Sequence, residues 1–88
     1  MAEYRVILKP SADKALQKIP VDMQRRIVAK LDELAVNPRP ANVVKLAGDD
    51  NLWRIRAGDY RVVYEIHDRE ITVCVLAIGH RRDIYRGL

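Results

Sequence analysis

The sequence predicts an α+β fold in which two N-terminal amphipathic helices pack on one face of a mostly antiparallel sheet of about four or five strands. Two observations predict it. After one short alternating run, apolar residues recur at helical spacing through Leu34, and from Val43 onward the period changes to two and stays there. Turn-forming pairs then divide the second half into segments of strand length.

The first strand rests on Tyr4, Val6 and Leu8, which alternate with Glu3, Arg5 and Lys9. Pro10 and Ser11 stop it, and Ser11 is placed to cap a helix in which Ala12, Ala15, Leu16 and Ile19 share one face. Pro20 ends that helix and suits the first turn of the next, whose apolar stripe is Met23, Ile27, Leu31 and Leu34, opposite Arg25, Arg26, Asp32 and Glu33. The run Asn37, Pro38, Arg39, Pro40 breaks the second helix. Strand-like segments follow at 43–46, 52–57, 60–67 and 70–79, with turns at 48–51, at Gly58 and Asp59, and at Asp68 and Arg69. Gly58 at the first central position suits a two-residue type II′ hairpin.

The chain has 88 residues, read as a single domain spanning 1–88, with 49% hydrophobic and 32% charged residues. No run approaches the ~18 apolar residues of a membrane span, and the N-terminus lacks a signal-peptide pattern, so a cytoplasmic protein without membrane contact is expected. The one cysteine, Cys74, excludes an internal disulfide and leaves no Cys/His set for zinc; no metal or cofactor is expected. The formal charge is +4, and its kind is uneven. All five lysines lie at or before Lys45, whereas the seven basic residues after Asn51 are all arginines, whose planar fork suits bidentate phosphate contacts.

A turn at Gly58 and Asp59 fixes the register of its hairpin, because a slip of one residue would exchange the two faces. Arg56 then opposes Arg61, Arg54 opposes Val63, and Trp53, Ile55, Val62 and Tyr64 form the core side. Closing the next hairpin at Asp68 and Arg69 pairs Ala77 with Tyr60 and adds Ile66, Ile71, Val73 and Val75 to that side. The other face carries Arg54, Arg56 and Arg61 with Val63, Glu65, Cys74, Leu76 and Ile78, and continued alternation adds His80. Facing arginines repel by a few tenths to about 1 kcal/mol. An ion-pair ladder through Glu65 and Arg54 is the purely structural alternative, although one carboxylate cannot neutralise three guanidiniums. Arg81, Arg82 and Tyr85 follow the last strand at the same end of the sheet as Arg56 and Arg61. Several arginines with one His and one Tyr are what a metal-free phosphodiester site needs.

The stretches KLAGDDNLWRIRAGDYRVVYEI, residues 45–66, and VLAIGHRRDIY, residues 75–85, together resemble the RelE/ParE family of bacterial toxins from toxin-antitoxin pairs. The element order matches as well. RelE-like members cut messenger RNA in the ribosomal A site without a metal, by attack of a 2′-OH on the adjacent phosphate; ParE-like members share the fold and poison DNA gyrase. The resemblance implies that Arg61 and Arg81 hold the scissile phosphate, that Tyr85 is the C-terminal aromatic of the site, and that Arg54 and Arg56 bind RNA, with Arg82 beside them. A tyrosine with a pKa near 10 can act as base only where neighbouring cations favour its ionised form. Arginine stays charged, so a protein-derived acid would have to be His80. Whether Tyr85 or His80 is the base stays open, as does a purely packing role for Tyr85. The implied partners are the 70S ribosome, the mRNA in its A site, and a cognate antitoxin that covers Val63, Leu76 and Ile78. A gyrase inhibitor and an inactive binding module are the alternative functions.

Overall fold

The computed structural model describes residues 3–46 and 51–80. Among them the chain runs β1 (Arg5–Leu8), α1 (Pro10–Gln17), α2 (Val21–Val36), β2 (Val44–Lys45), β3 (Trp53–Ala57), β4 (Tyr60–His67) and β5 (Thr72–His80). The strands form one sheet in the order β1-β5-β4-β3-β2. β1 lies parallel to β5, and the other neighbours are antiparallel. This is the predicted α+β architecture, with both helices on one face of the sheet.

The helix starts differ from the expectation by two residues for α1 and by one for α2. Pro10 occupies the first helical position and Lys9 is the N-cap, so Ser11 lies inside α1 and caps nothing. Proline's fixed φ favours that position, where its missing N–H is no loss. Pro20 is itself the N-cap of α2 rather than a residue of its first turn. The junction is closed by Gln24, whose side-chain amide donates to the carbonyls of Gln17 (3.2 Å) and Ile19 (2.8 Å). The Gln17 carbonyl in the last turn of α1 has no partner within the helix, and the Ile19 carbonyl lies just past its end.

The core lies between helices and sheet. Ala12, Ile27 and Leu34 from the helices meet Ile55, Val62, Tyr64, Val73 and Val75 from the three inner strands. Tyr64 is fully buried, and its hydroxyl donates to the Pro38 carbonyl at 2.8 Å. Without that acceptor, burying the hydroxyl would be costly. Burial pushes the Tyr64 phenol far above its ordinary pKa. The same loop is pinned by Arg39, whose guanidinium donates to both Asp68 oxygens (3.2 and 2.9 Å) and lies 5.3 Å over the Trp53 ring. Tyr4 donates to Asp68 Oδ1 at 2.6 Å. Among the described residues, no helix is long and apolar enough to cross a membrane.

Candidate functional site

The β3–β4 hairpin forms as its turn predicts. Gly58 sits at φ 61°, a left-handed conformation that L side chains avoid, while Asp59 does not share it, as a type II′ turn requires. A Cβ on Gly58 would also come 3.0 Å from Met23 Cε of α2. The register follows: Arg56 faces Arg61, Arg54 faces Val63, and Trp53 faces Tyr64. Directly opposed residues share a face, so Arg54, Arg56 and Arg61 lie together on the side of the sheet away from the helices. β4 is the central strand, so Arg61 lies midway across the sheet, at its Gly58 end. Arg54 and Arg61 are half-buried and Arg56 is exposed, its Nε donating to the Gly58 carbonyl at 2.9 Å. Glu65, a carboxylate of this face, lies within hydrogen-bond distance of His67, Oε1 to Nε2 at 3.3 Å.

The β4–β5 hairpin departs from the expected register. Its loop has four residues instead of two, because His67 pairs with Thr72, and Ile71 takes φ 50° to close it. That shift of two preserves the faces, and Val73 and Val75 are buried as predicted. Ile71, expected in the core, is instead 41% exposed. Between Tyr64↔Val75 and Val63↔Ala77 the strand β5 carries one extra residue, Leu76, and beyond this bulge the faces exchange. Ile78 pairs with Val62 and joins the core, contrary to the alternation reading. His80 pairs with Tyr60, not Ala77, and its ring meets the Tyr60 ring edge-on at 5.8 Å. His80 therefore falls on the Tyr60 side of the sheet, and the arginine face receives Ala77 and Gly79 opposite Val63 and Arg61. Val63 is fully buried within the chain itself, so of the three apolar residues expected to need covering only Leu76 stays partly accessible.

A family model described as the ParE toxin of the type II toxin-antitoxin system parDE matches residues 6–85. The chain belongs to the RelE/ParE toxin family. Toxin RelG of Mycobacterium tuberculosis is 36% identical, with 94% of this chain and 97% of that protein covered. A putative RelE-like toxin protein of Escherichia coli is 31% identical over 93% of this chain and 90% of its own length. Among solved structures, the archaeal RelE-RelB complex from Pyrococcus horikoshii superposes with a TM-score of 0.80 at 34% identity, covering 90% of this chain and 96% of that one.

Within this family framework, three predicted site residues, Arg81, Arg82 and Tyr85, lie outside the described residues. The described strand ends at His80, beside Tyr60 and the turn at Gly58. Sequence periodicity missed one feature beside the hairpin's turn. An open cleft of about 790 Å³ runs between α2 and the hairpin, with Arg26 and Lys30 on one wall and Arg56, Asp59 and Tyr60 on the other. Helical spacing marks Arg26 only as a residue outside the apolar stripe. Its place near Gly58 comes from helix-on-hairpin packing, which no local pattern encodes.

Proposed function

We propose that this chain is a ribosome-dependent mRNA endoribonuclease. The observation that supports this reading is the grouping of Arg54, Arg56 and Arg61 on one face, with Arg56 and Arg61 directly opposed at the end of the sheet where the chain continues toward Arg81 and Tyr85. Guanidiniums grouped on one face suit a polyanionic backbone, because each can offer a bidentate fork to a phosphate. In the proposed reaction the 2′-OH attacks the adjacent phosphorus, the new O2′–P bond forms as the P–O5′ bond breaks, and the products are a 2′,3′-cyclic phosphate and a 5′-hydroxyl. Tyr85 takes the 2′-OH proton, Arg61 and Arg81 meet the charge that builds on the non-bridging oxygens, and Arg54, Arg56 and Arg82 hold the RNA backbone. No arginine can supply the proton for the leaving oxygen, and His80 lies on the Tyr60 side of the sheet, so that proton falls to water. The ribosomal A site would present the mRNA in line.

A cognate antitoxin is the second proposed partner. The solved relative from Pyrococcus horikoshii is a complex of RelE with RelB, which supports an antitoxin for this chain too. The gyrase-inhibitor reading keeps one specific support, the ParE description of the matching family model. Expression of the chain alone decides between them. Growth arrest with transcript 5′ ends mapped inside translated codons is the result expected. Intact transcripts with double-strand DNA breaks would replace the ribonuclease by the gyrase inhibitor, and neither effect would leave a binding module.

A further inference from the structure

The solvent side of α2 carries its own pattern. Ile27, Leu31 and Leu34 are buried against the sheet, yet Val21, Val28 and Val36 on the same helix are 60%, 44% and 70% exposed. At about 100° per residue, Val21, Arg25, Val28, Asp32 and Val36 fall within one stripe opposite the buried one. Two shallow grooves meet along it, sharing Ala29 and Asp32 in their walls. Arg25 and Asp32 are both exposed, and among the described residues the ion pair within α2 is Lys30 with Glu33 at 3.4 Å. Seven positions apart, Arg25 and Asp32 are separated by about 10 Å along the axis, beyond each other's reach.

The stripe matches its own reverse. A two-fold axis passing between residues 28 and 29 brings a second α2 antiparallel to the first. Arg25 then faces Asp32 of the second copy, and by symmetry Asp32 faces the second copy's Arg25. Val21 lies over Val36 of the second copy, and Val28 sits beside its own counterpart on the axis. A parallel pairing would set Arg25 against Arg25, so the charges select the antiparallel arrangement. We propose that the solvent face of α2 is a self-association surface whose occupant is α2 of a second copy of this chain. The occupant is argued from the charges: opposite signs placed symmetrically about the centre of one helix fit that helix reversed. The surface lies on the far side of the sheet from Arg54, Arg56 and Arg61, so association leaves both arginine faces outward. One helix of 16 residues, about 24 Å long, gives a small contact at the lower end of specific interfaces, so a weak, concentration-dependent association is expected.

Sedimentation velocity of the purified full-length chain, from about 1 to 500 µM at low salt, should show a monomer–dimer equilibrium in that range. Arg25→Asp and Asp32→Arg should each weaken it by about tenfold or more, because symmetry turns both contacts repulsive at once, and the double variant should return to within about threefold of wild type. The double variant has the composition of the parent, so a single variant that fails to fold does not remove the test. Disulfide trapping in a Cys74→Ser background gives a second measurement: Val28→Cys should cross-link to its counterpart, and Val21→Cys should not. A chain that stays monomeric throughout, a dimer indifferent to both charge reversals, or Val28→Cys cross-linking no faster than Val21→Cys would each overturn the proposal.

Discussion

The two hairpins of the sheet share β4 and differ in what sets their geometry. In β3–β4 the register is set within the turn, by a glycine at φ 61° that no L residue replaces without strain. In β4–β5 it is set from a distance. A four-residue loop closes through Ile71 at φ 50°, and its first residue, Asp68, is held by Arg39 and Tyr4, which lie 29 and 64 positions away in sequence. The first hairpin delivers Arg56 and Arg61 to one face. The second, through the bulge at Leu76, takes His80 away from that face. Local turn chemistry thus fixes the arginines, and tertiary contacts decide which end-of-strand groups can join them.

The largest effect that sharpens this contrast is on cleavage. Arg61→Ala should reduce single-turnover cleavage on programmed ribosomes by roughly 10²–10³, as expected for a donor to a charge-building oxygen. Tyr85→Phe should cost roughly 10²–10⁴, the range of a general base. His80→Ala should stay within about threefold of wild type, because the bulge turns its side chain to Tyr60. A His80→Ala loss as large as that of Arg61→Ala would mean that the exchange of faces does not isolate it from the site.

Stability gives the next two tests. Gly58→Ala should lower unfolding stability by about 1–2 kcal/mol in urea titration, since alanine must take the left-handed conformation with its Cβ beside Met23. Ile71→Asn should raise it by about 0.5–1 kcal/mol, because asparagine tolerates φ 50° and the exposed isoleucine gives up little buried surface. Opposite signs at two positive-φ positions, one glycine and one β-branched, are what the comparison demands. If Ile71→Asn were destabilising, packing of the isoleucine would outweigh its backbone strain.

This contrast also explains what could be read from the residues alone. The helices, the arginine face and the core set Ile55, Val62, Tyr64, Val73 and Val75 follow from periodicity and one glycine turn, all of them local signals. The faces of Ile78 and His80 do not. Parity propagates along a strand only while pairing is regular, and a single unpaired residue at Leu76 reverses everything beyond it. Nothing in VCVLAIGH marks that residue. An isoleucine at positive φ is equally silent, because sequence patterns place glycine or asparagine there, and Asp68 and Arg69 look like a two-residue turn until the Arg39 contact holds the loop open.

The smallest effect concerns acid, and it falls on one hairpin only. The Arg39 guanidinium first, and then the Tyr4 hydroxyl, hydrogen-bond Asp68 and lower its pKa to about 2. The same contact raises the Tyr4 phenol, chiefly through its hydrogen bond to Asp68. A carboxylate held below its unfolded pKa of about 4 contributes stability that is fully present above that value and is lost as pH falls from about 4 to about 2. The group is exposed, so solvent and salt screen the contribution and the effect is modest. Asp68→Asn should therefore lower the melting temperature at neutral pH, and the gap to wild type should close between about pH 4 and pH 2 and narrow in high salt. Amide exchange locates the effect: acid should speed exchange at Ile71, whose N–H donates to the Asp68 carbonyl at 3.2 Å, more than at residues of the Gly58 turn, after correction for intrinsic rates. A gap that stays constant down to pH 2 would mean that the shape of the loop, rather than the charge on Asp68, holds the second hairpin in register.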